Sequence, residues 1–363
     1  MRNDFEIGVF AGDGIGHEVT PAAEAVLEAA SAKAGFALRW TPLRCGADCW
    51  KDTGHEIEPE DLKRAGKVDA IFLAAAGDPA VRQADGREIM PQVTMRFHFG
   101  LYAGVRPVRP IPGVKRVLAD PATANMDYVI IRESTEGLFA PSEKGTLSAE
   151  EARETLLITR QTSEKLFDFA FRLAESRKAQ GRPGKVTCVD KANVFAAFWF
   201  FREIFKERAK AFPHIAADAA YVDAFAMTMA QKPLSIDVAV TENMFGDILS
   251  DLGAALMGGM GYAPSADVGD EHAVFQPCHG TAPDIAGMGL ANPTAMMLSG
   301  AMMLEWLAET KGAPEAAKAA ALVRRAVDAA FAPGALVTCE LGGKAGTEAV
   351  KAAVLAELAR LDA

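Results

Sequence analysis

The run Phe5-Glu6-Ile7-Gly8-Val9-Phe10-Ala11-Gly12-Asp13-Gly14-Ile15-Gly16-His17-Glu18-Val19 decides how this chain is to be read. Residues 5–11 form an apolar strand pattern and the glycines a turn. Pro21 then opens an Ala- and Leu-rich helix over Ala22 to Ala34. Strand, glycine turn and helix in that order invite comparison with a dinucleotide-binding unit. The spacing, however, is G-x-G-x-G, and no acidic residue closes a second strand about twenty positions later. A Rossmann unit is therefore excluded. The glycines instead let the backbone approach a ligand or a neighbouring element closely.

The rest of the chain reads as an α/β protein. Val68 to Ala76 is a near-continuous apolar run, the pattern of a strand buried on both faces. Val129-Ile130-Ile131-Arg132-Glu133 and Lys185 to Asp190 repeat that pattern and end in charged residues. Residues 150–178 read as one long helix, with Leu156, Leu157, Leu166, Phe167, Phe171 and Leu173 at spacings of three and four. Gly258 to Pro264 reads as a flexible connection. From Thr294 the chain is helical, first with a Met/Leu stripe expected to be core packing, then with two Ala-rich helices.

Composition sets outer limits. At 363 residues, half of them hydrophobic, the chain has room for two domains or one large α/β unit. A net charge of −10 excludes a general nucleic-acid binder, which needs a basic stripe. It does not exclude an anionic small molecule, because a local arginine cluster overrides the global sign. The five cysteines, at 45, 49, 188, 278 and 339, form no CxxC pair, so a zinc site or disulfide framework is not expected. Met1 to Glu6 carry no apolar signal core, and no uncharged run approaches the roughly 20 residues of a membrane span. A cytoplasmic location is expected.

Chemistry concentrates in three places. Asp247 and Asp251 stand four apart on a helix expected over Phe245 to Leu256, and so share one face. Asp223, ending the separate short run Tyr221-Val222-Asp223, is a third carboxylate. Three such oxygens suit Mg2+ or Mn2+, although a solvated helix face and an unrelated strand end are the plainer reading of the spacing alone. Arg96, Arg106 and Arg132 stand in segments otherwise poor in charge and are suited to bidentate grips on carboxylates. Ordinary ion pairs remain the plainer reading. Lys191, at the tip of a buried strand, is an acid/base candidate if desolvated, or a salt-bridge partner otherwise.

Taken together, seven segments in order resemble the β-decarboxylating dehydrogenases of the isocitrate and isopropylmalate dehydrogenase family. They are Gly12 to Gly16, Arg96 with Arg106-Pro107, Arg132-Glu133, Asp190 to Asn193, Tyr221 to Asp223, Asn243 to Asp251, and His279 to Asp284. The resemblance runs almost from end to end. It implies a two-domain α/β/α fold that is not Rossmann. One domain would comprise 1–105 and 262–363 and bind the cofactor; the other, 106–261, would carry the metal and the dimer contact.

The resemblance also implies roles. Arg96, Arg106 and Arg132 would grip a dicarboxylate, with Gln92 and Val93 beside its third substituent. Asp223, Asp247 and Asp251 would hold Mg2+ or Mn2+. Lys191 and Asp223 would act in catalysis and reach in from the partner of a homodimer with shared active sites. His279, Gly280, Thr281, Ala282, Pro283, Asp284, Ile285 and Asn292 would hold the cofactor. Asp284-Ile285 looks like the NAD form, because an Asp accepts from ribose hydroxyls and repels a 2′-phosphate. Lys191 would take the hydroxyl proton as hydride leaves for NAD+, with the cation polarising the new ketone so that the adjacent carboxylate leaves as CO2.

Three departures from the family pattern stand out. The Tyr expected seven residues after the third Arg, as proton donor to the enol, is Phe139. Gln276 replaces the usual Glu before Pro-x-His-Gly. Gln92-Val93 stands where isopropylmalate enzymes carry two leucines, which weakens the case for a branched alkyl substituent and suits a hydroxylated malate such as tartrate. The expected activity is thus NAD- and metal-dependent oxidation of a malate-type 2-hydroxy dicarboxylate. Isopropylmalate, D-malate and tartrate types, a non-decarboxylating enzyme and an impaired dicarboxylate/NAD binder remain as alternatives.

Overall fold

The structure, a computed structural model, describes residues 4–84, 86–140 and 145–362. Its strands are β1 (Asp4–Gly12), β2 (Ala37–Leu43), β3 (Ala70–Ala75), β4 (Ala103–Val108), β5 (Tyr128–Glu133) and the short pair β6 (Thr146–Leu147) and β7 (Ala152–Arg153). They continue with β8 (Lys185–Asp190), β9 (Ala216–Tyr221), β10 (Val238–Thr241), β11 (Pro264–Val268) and β12 (Ala273–Pro277). The first helices are α1 (Gly16–Ala34), α2 (Ala47–Thr53), α3 (Pro59–Ala65), α4 (Pro91–His98), α5 (Arg160–Ala179) and α6 (Ala196–Ala209). The last are α7 (Val222–Gln231), α8 (Asn243–Met257), α9 (Thr294–Lys311), α10 (Pro314–Phe331) and α11 (Thr347–Arg360).

Ten strands pair in the order β2-β1-β3-β12-β11-β4-β5-β10-β8-β9. The first four are parallel, as are the last four. Between them β11 and β4 are antiparallel to each neighbour, so the two parallel blocks run in opposite directions. The boundary expected at 105/106 falls inside β4, and the sheet continues through it. Helices cover both faces, which is why the central strands are continuously apolar. On β5 the alternation is direct: Tyr128 and Ile130 pack in the cluster that includes Leu249 and Leu256 of α8, while Val129 and Ile131 pack with Leu166, Phe167 and Phe201 of α5 and α6. Phe171 stacks on Phe205 and Phe212 at 5.4 and 4.9 Å between ring centres. The result is an α/β/α architecture, as expected. Among the described residues no helix is long and apolar enough to cross a membrane.

The glycine turn after β1 is explained by its neighbour. Gly14 has φ +55°, and a Cβ there would stand 2.3 Å from the Thr281 carbonyl oxygen. That same oxygen accepts from Ile15 N at 2.9 Å. The turn and the 279–285 segment are therefore locked together, which only a residue without a side chain permits.

Four sequence expectations are corrected. Helix α1 begins at Gly16, five residues before Pro21. The proline removes only the bond to the His17 carbonyl, and both residues face solvent, where water replaces it. Residues 150–178 are not one helix: β6 and β7 form a hairpin, Leu157 exchanges backbone bonds with Gly137 at 2.9 and 3.2 Å, and α5 starts only at Arg160. Thr159 caps it, accepting from Thr162 N. Asp223 does not end a strand but lies in the first turn of α7. Finally, Gly258 to Pro264 is no loose connection. It carries a 3-10 turn over Met260–Tyr262, and the fully buried Tyr262 hydroxyl lies 2.8 Å from Thr338 Oγ1.

Candidate active site

Register brings the site together. Asp267 and Arg132 both lie opposite Gly104 of β4, and Arg106 lies opposite Ile130 of β5. Gln276 lies opposite Ser265, two residues before Asp267. Because side chains on neighbouring strands alternate together, Arg106, Arg132, Asp267 and Gln276 share one face of the sheet. Helix α8 lies on that face and approaches closely, since a Cβ at Gly246 would meet Arg132 Cβ at 2.6 Å. Helix α8 then presents Asp247 and Asp251, one turn apart, beside Arg132. Pro91 starts α4, which delivers Gln92, Val93 and Arg96.

These elements enclose a cavity of about 210 Å³ lined by Gln92, Val93, Arg96, Arg106, Arg132, Phe139, Asp247, Asp251, Gln276, Cys278, His279 and Gly280, among others. The three arginines are each less than a tenth exposed. Arg132 donates through Nε and Nη2 to Asn243 Oδ1, at 3.0 and 2.7 Å, and through Nη1 to Asp247. Burial, then the nearby Arg96 charge, pushes its guanidinium down to about 10. Arg96 and Arg106 instead share Asp267, whose carboxyl is held down at about 2 against its own burial by the Arg96, Arg106 and Arg132 charges.

The metal question turns on Asp247 and Asp251. Burial, then the Asp247 charge, raises the Asp251 carboxyl above its ordinary value. A like-charged pair of oxygen donors held over a cavity fits a hard divalent cation. Asp223 is elsewhere: its Oδ1 accepts from Lys191 Nζ at 2.7 Å, outside this cavity, and its side chain is 68% exposed. Among the described residues of one chain, no three His, Cys, Asp or Glu side chains are grouped to hold a metal. The expected three-aspartate set is thus not assembled within a single chain. Lys191 pairs with Asp223, while the adjacent Asp190 is taken by Arg202 through two 2.7 Å bonds.

Four of the residues expected to hold the cofactor, His279, Ala282, Ile285 and Asn292, line a second cleft of about 400 Å³ together with Ile15, Leu290 and Glu340, among others, whereas Gly280, Thr281, Pro283 and Asp284 do not line it. Its mixed apolar and amide lining fits a flat heterocycle with a ribose. Ala282 adopts φ +39° to turn the segment, and Thr281 holds Ile15 as described. Pro283 and Asp284 are exposed beside Ile285. Asn292 gives its Nδ2 to Glu340 at 2.7 Å and accepts from Thr294 N and Oγ1. His279 lines both this cleft and the first cavity, Gly280 the first cavity, and burial lowers the His279 pKa.

Phe139 is also in place: its ring lies 5.5 Å from the Arg132 guanidinium carbon. A phenol there would have faced the cavity; the phenyl ring offers only a cation–π contact. Gln276 gives its Nε2 to Asp267 Oδ2 at 2.7 Å, so a Glu at 276 would set two carboxylates against each other. Sequence reasoning missed Asp267 and the role of Asn243. The available signal was a charged residue inside the apolar run Pro264 to Val268.

Residues 6–357 match the family model for isocitrate/isopropylmalate dehydrogenase. The 3-isopropylmalate/3-methylmalate dehydrogenase of Methanocaldococcus jannaschii is 41% identical over 347 residues, covering 94% of this chain and 95% of that protein. The isocitrate/homoisocitrate dehydrogenase of Thermus thermophilus is 40% identical over 361 residues, covering 98% and 99%. The crystal structure of isocitrate dehydrogenase from Methylococcus capsulatus superposes with a TM-score of 0.84 at 35% identity, covering 98% of this chain and 99% of that one.

Proposed function

The chain belongs to the isocitrate/isopropylmalate dehydrogenase family and is an oxidoreductase, and from that premise we propose that it oxidises a malate-type 2-hydroxy dicarboxylate with NAD and Mg2+ or Mn2+, losing the β-carboxylate as CO2. The observation that carries this reading is the convergence of Arg96, Arg106 and Arg132 with Asp247 and Asp251 around one small cavity. Guanidiniums whose charges are only partly met by carboxylates attract and orient a dicarboxylate. The substituent at the third carbon would rest on Gln92 and Val93. Gln92 Oε1 is buried with no hydrogen-bond partner among the described residues. That unmet acceptor favours a hydroxylated substituent over an alkyl one.

The chemistry the absent groups supply when bound is hydride acceptance by the nicotinamide and Lewis-acid polarisation at the substrate oxygen by the cation. The chain's own part is to hold and move protons. Lys191 is the candidate acceptor of the hydroxyl proton as the neutral amine, the proton of its ammonium first passing to solvent or to the Asp223 carboxylate it pairs with. Both residues would complete the cavity of a second subunit, in a homodimer whose active sites are shared. Exposed apolar side chains surround them in sequence: Val194, Phe195, Trp199, Tyr221 and Met227, with Ile248 on α8. Large apolar side chains left exposed on these neighbouring elements support the reading that a second subunit covers them. Residues 1–105 with 262–363 would form the cofactor domain and 106–261 the dimerising domain.

Phe139 supports a second reading, oxidation without efficient loss of CO2, because the carbon that loses CO2 must take a proton and this ring has none to give. One experiment separates the readings. The protein is incubated with NAD+, Mn2+ and D-malate, the tartrates or 3-isopropylmalate, and NADH and CO2 are quantified together. Equal yields support the proposal, NADH without matching CO2 the second reading. Absence of turnover on every acid, with NAD binding intact, would overturn both.

A further inference from the structure

Strand β11 places a carboxylate behind two of the three arginines. Asp267 is 1% exposed and is met by four donors: Arg96 Nε at 3.0 Å and Gln276 Nε2 at 2.7 Å on Oδ2, Arg106 Nη2 at 3.0 Å and Ser134 Oγ at 3.3 Å on Oδ1. Four donors fill the acceptor capacity of one carboxylate. Arg106 is further fixed by Nη1, which donates to Ala266 O at 2.8 Å. Among the described residues Arg96 is met only at its Nε edge, and its two terminal nitrogens are left to the cavity that the residue lines.

Resting on the reading that Arg96 and Arg106 grip the substrate, we propose that Asp267 and Gln276 are positioning residues for that grip. Asp267 clamps the inner edges of both guanidiniums, and Gln276 must be a neutral donor for the clamp to hold. The charge count gives the reason. One carboxylate behind two guanidiniums leaves the pair with one net positive charge for the substrate. A second carboxylate at 276 would cancel it, or would share a proton with Asp267 in order to sit at that distance. Asp267 and Gln276 lie diagonally across antiparallel strands on one face, within mutual reach. The negative charge of the clamp therefore belongs at only one of the two positions.

The test compares Asp267→Asn, Gln276→Glu, the double variant and Arg96→Gln with the wild type. Melting temperature, kcat and KM are measured from pH 6 to 9 on the panel acid that is turned over fastest, and Kd of the same acid by calorimetry. In Asp267→Asn the uncompensated guanidiniums still attract the acid but hold it badly. The expected split is a kcat lowered by about tenfold or more, with KM and Kd little changed. Gln276→Glu is expected to lose kcat/KM as pH rises and the shared proton leaves. The double variant, with its carboxylate on the other strand, is expected to recover most of the lost kcat and to lose the pH dependence.

A purely structural role would lower melting temperatures while folded variants kept wild-type kinetics, and that result overturns the proposal. So does a Gln276→Glu enzyme with the wild-type pH profile. If Arg96→Gln leaves KM unchanged, the underlying reading of the arginines fails and the clamp with it. A raised KM in Arg96→Gln beside wild-type kinetics in Asp267→Asn sinks the clamp alone.

Discussion

Co-expressing Lys191→Ala and Asp251→Asn chains with different tags asks whether one active site is built from two subunits. Within one chain, Lys191 and Asp223 lie outside the cavity lined by Arg132, Asp247 and Asp251. If they complete the partner's cavity, each mutant homodimer lacks one group at both sites. Removing a group that moves a proton costs on the order of 10²–10⁴ in rate, so the Lys191→Ala homodimer should retain about 1% or less, and the Asp251→Asn homodimer should be impaired through loss of a donor to the cation. The mixed dimer keeps one intact site, with Asp251 from one chain and Lys191 from the other. Purified through both tags, it should show about half the wild-type kcat, and an unsorted equal mixture about a quarter, since random pairing makes about half the dimers mixed. The assay is NADH formation with Mn2+ and the preferred acid. A mixed dimer no more active than the mean of the two homodimers would refute the shared site, because Lys191 would then serve its own chain.

Gln92→Leu removes a buried acceptor without a partner. It should leave the melting temperature equal or higher and shift kcat/KM towards 3-isopropylmalate over tartrate by about tenfold or more; an unchanged ratio would remove Gln92 from the substituent pocket. Phe139→Tyr puts a hydroxyl on the ring beside Arg132 and should raise the CO2-to-NADH ratio wherever the wild-type ratio falls below one. The ratio staying low would exonerate Phe139. Asp267, depressed to about 2 from 3.8, stabilises the fold fully above its unfolded pKa and loses that contribution as pH falls from about 4 towards 2. The loss amounts to about 2 kcal/mol, so the wild-type melting temperature should fall more steeply over that window than that of Asp267→Asn. Asp284, exposed next to Ile285 of the second cleft, should give NAD+ a higher kcat/KM than NADP+; the reverse order would overturn the cofactor assignment.

Much of the site was legible because its signals are local. Arg132 follows three apolar residues, and Asp247 and Asp251 share a helix face through the i,i+4 relation alone; Lys191, just after β8, is equally local but lies outside the cavity of its own chain. The misread segments are those where long-range partners overrule local pattern. Leu156 and Leu157 fit a helical period, but Leu157 pairs its backbone with Gly137, twenty residues upstream, and Thr159 supplies the cap that starts α5 later. Tyr262 looked like part of a glycine-rich link because Thr338, its buried partner, is remote in sequence.

Sequence alone determined the α/β class, the exclusion of a Rossmann unit and the identity of the charged residues, since strand burial, glycine spacing and i,i+4 geometry are written within a few residues. Tertiary structure decided what those charges face. Asp267 became the counter-ion of Arg96 and Arg106, 171 and 161 residues away in sequence, only when β11 paired with β4. Asp223 was separated from Asp247 and Asp251 in the same way, by which element each side chain was placed on. The physical reason is the reach of a buried charge: in a low-dielectric interior it is defined by whatever lies within a few ångströms, and only the folded chain specifies that set.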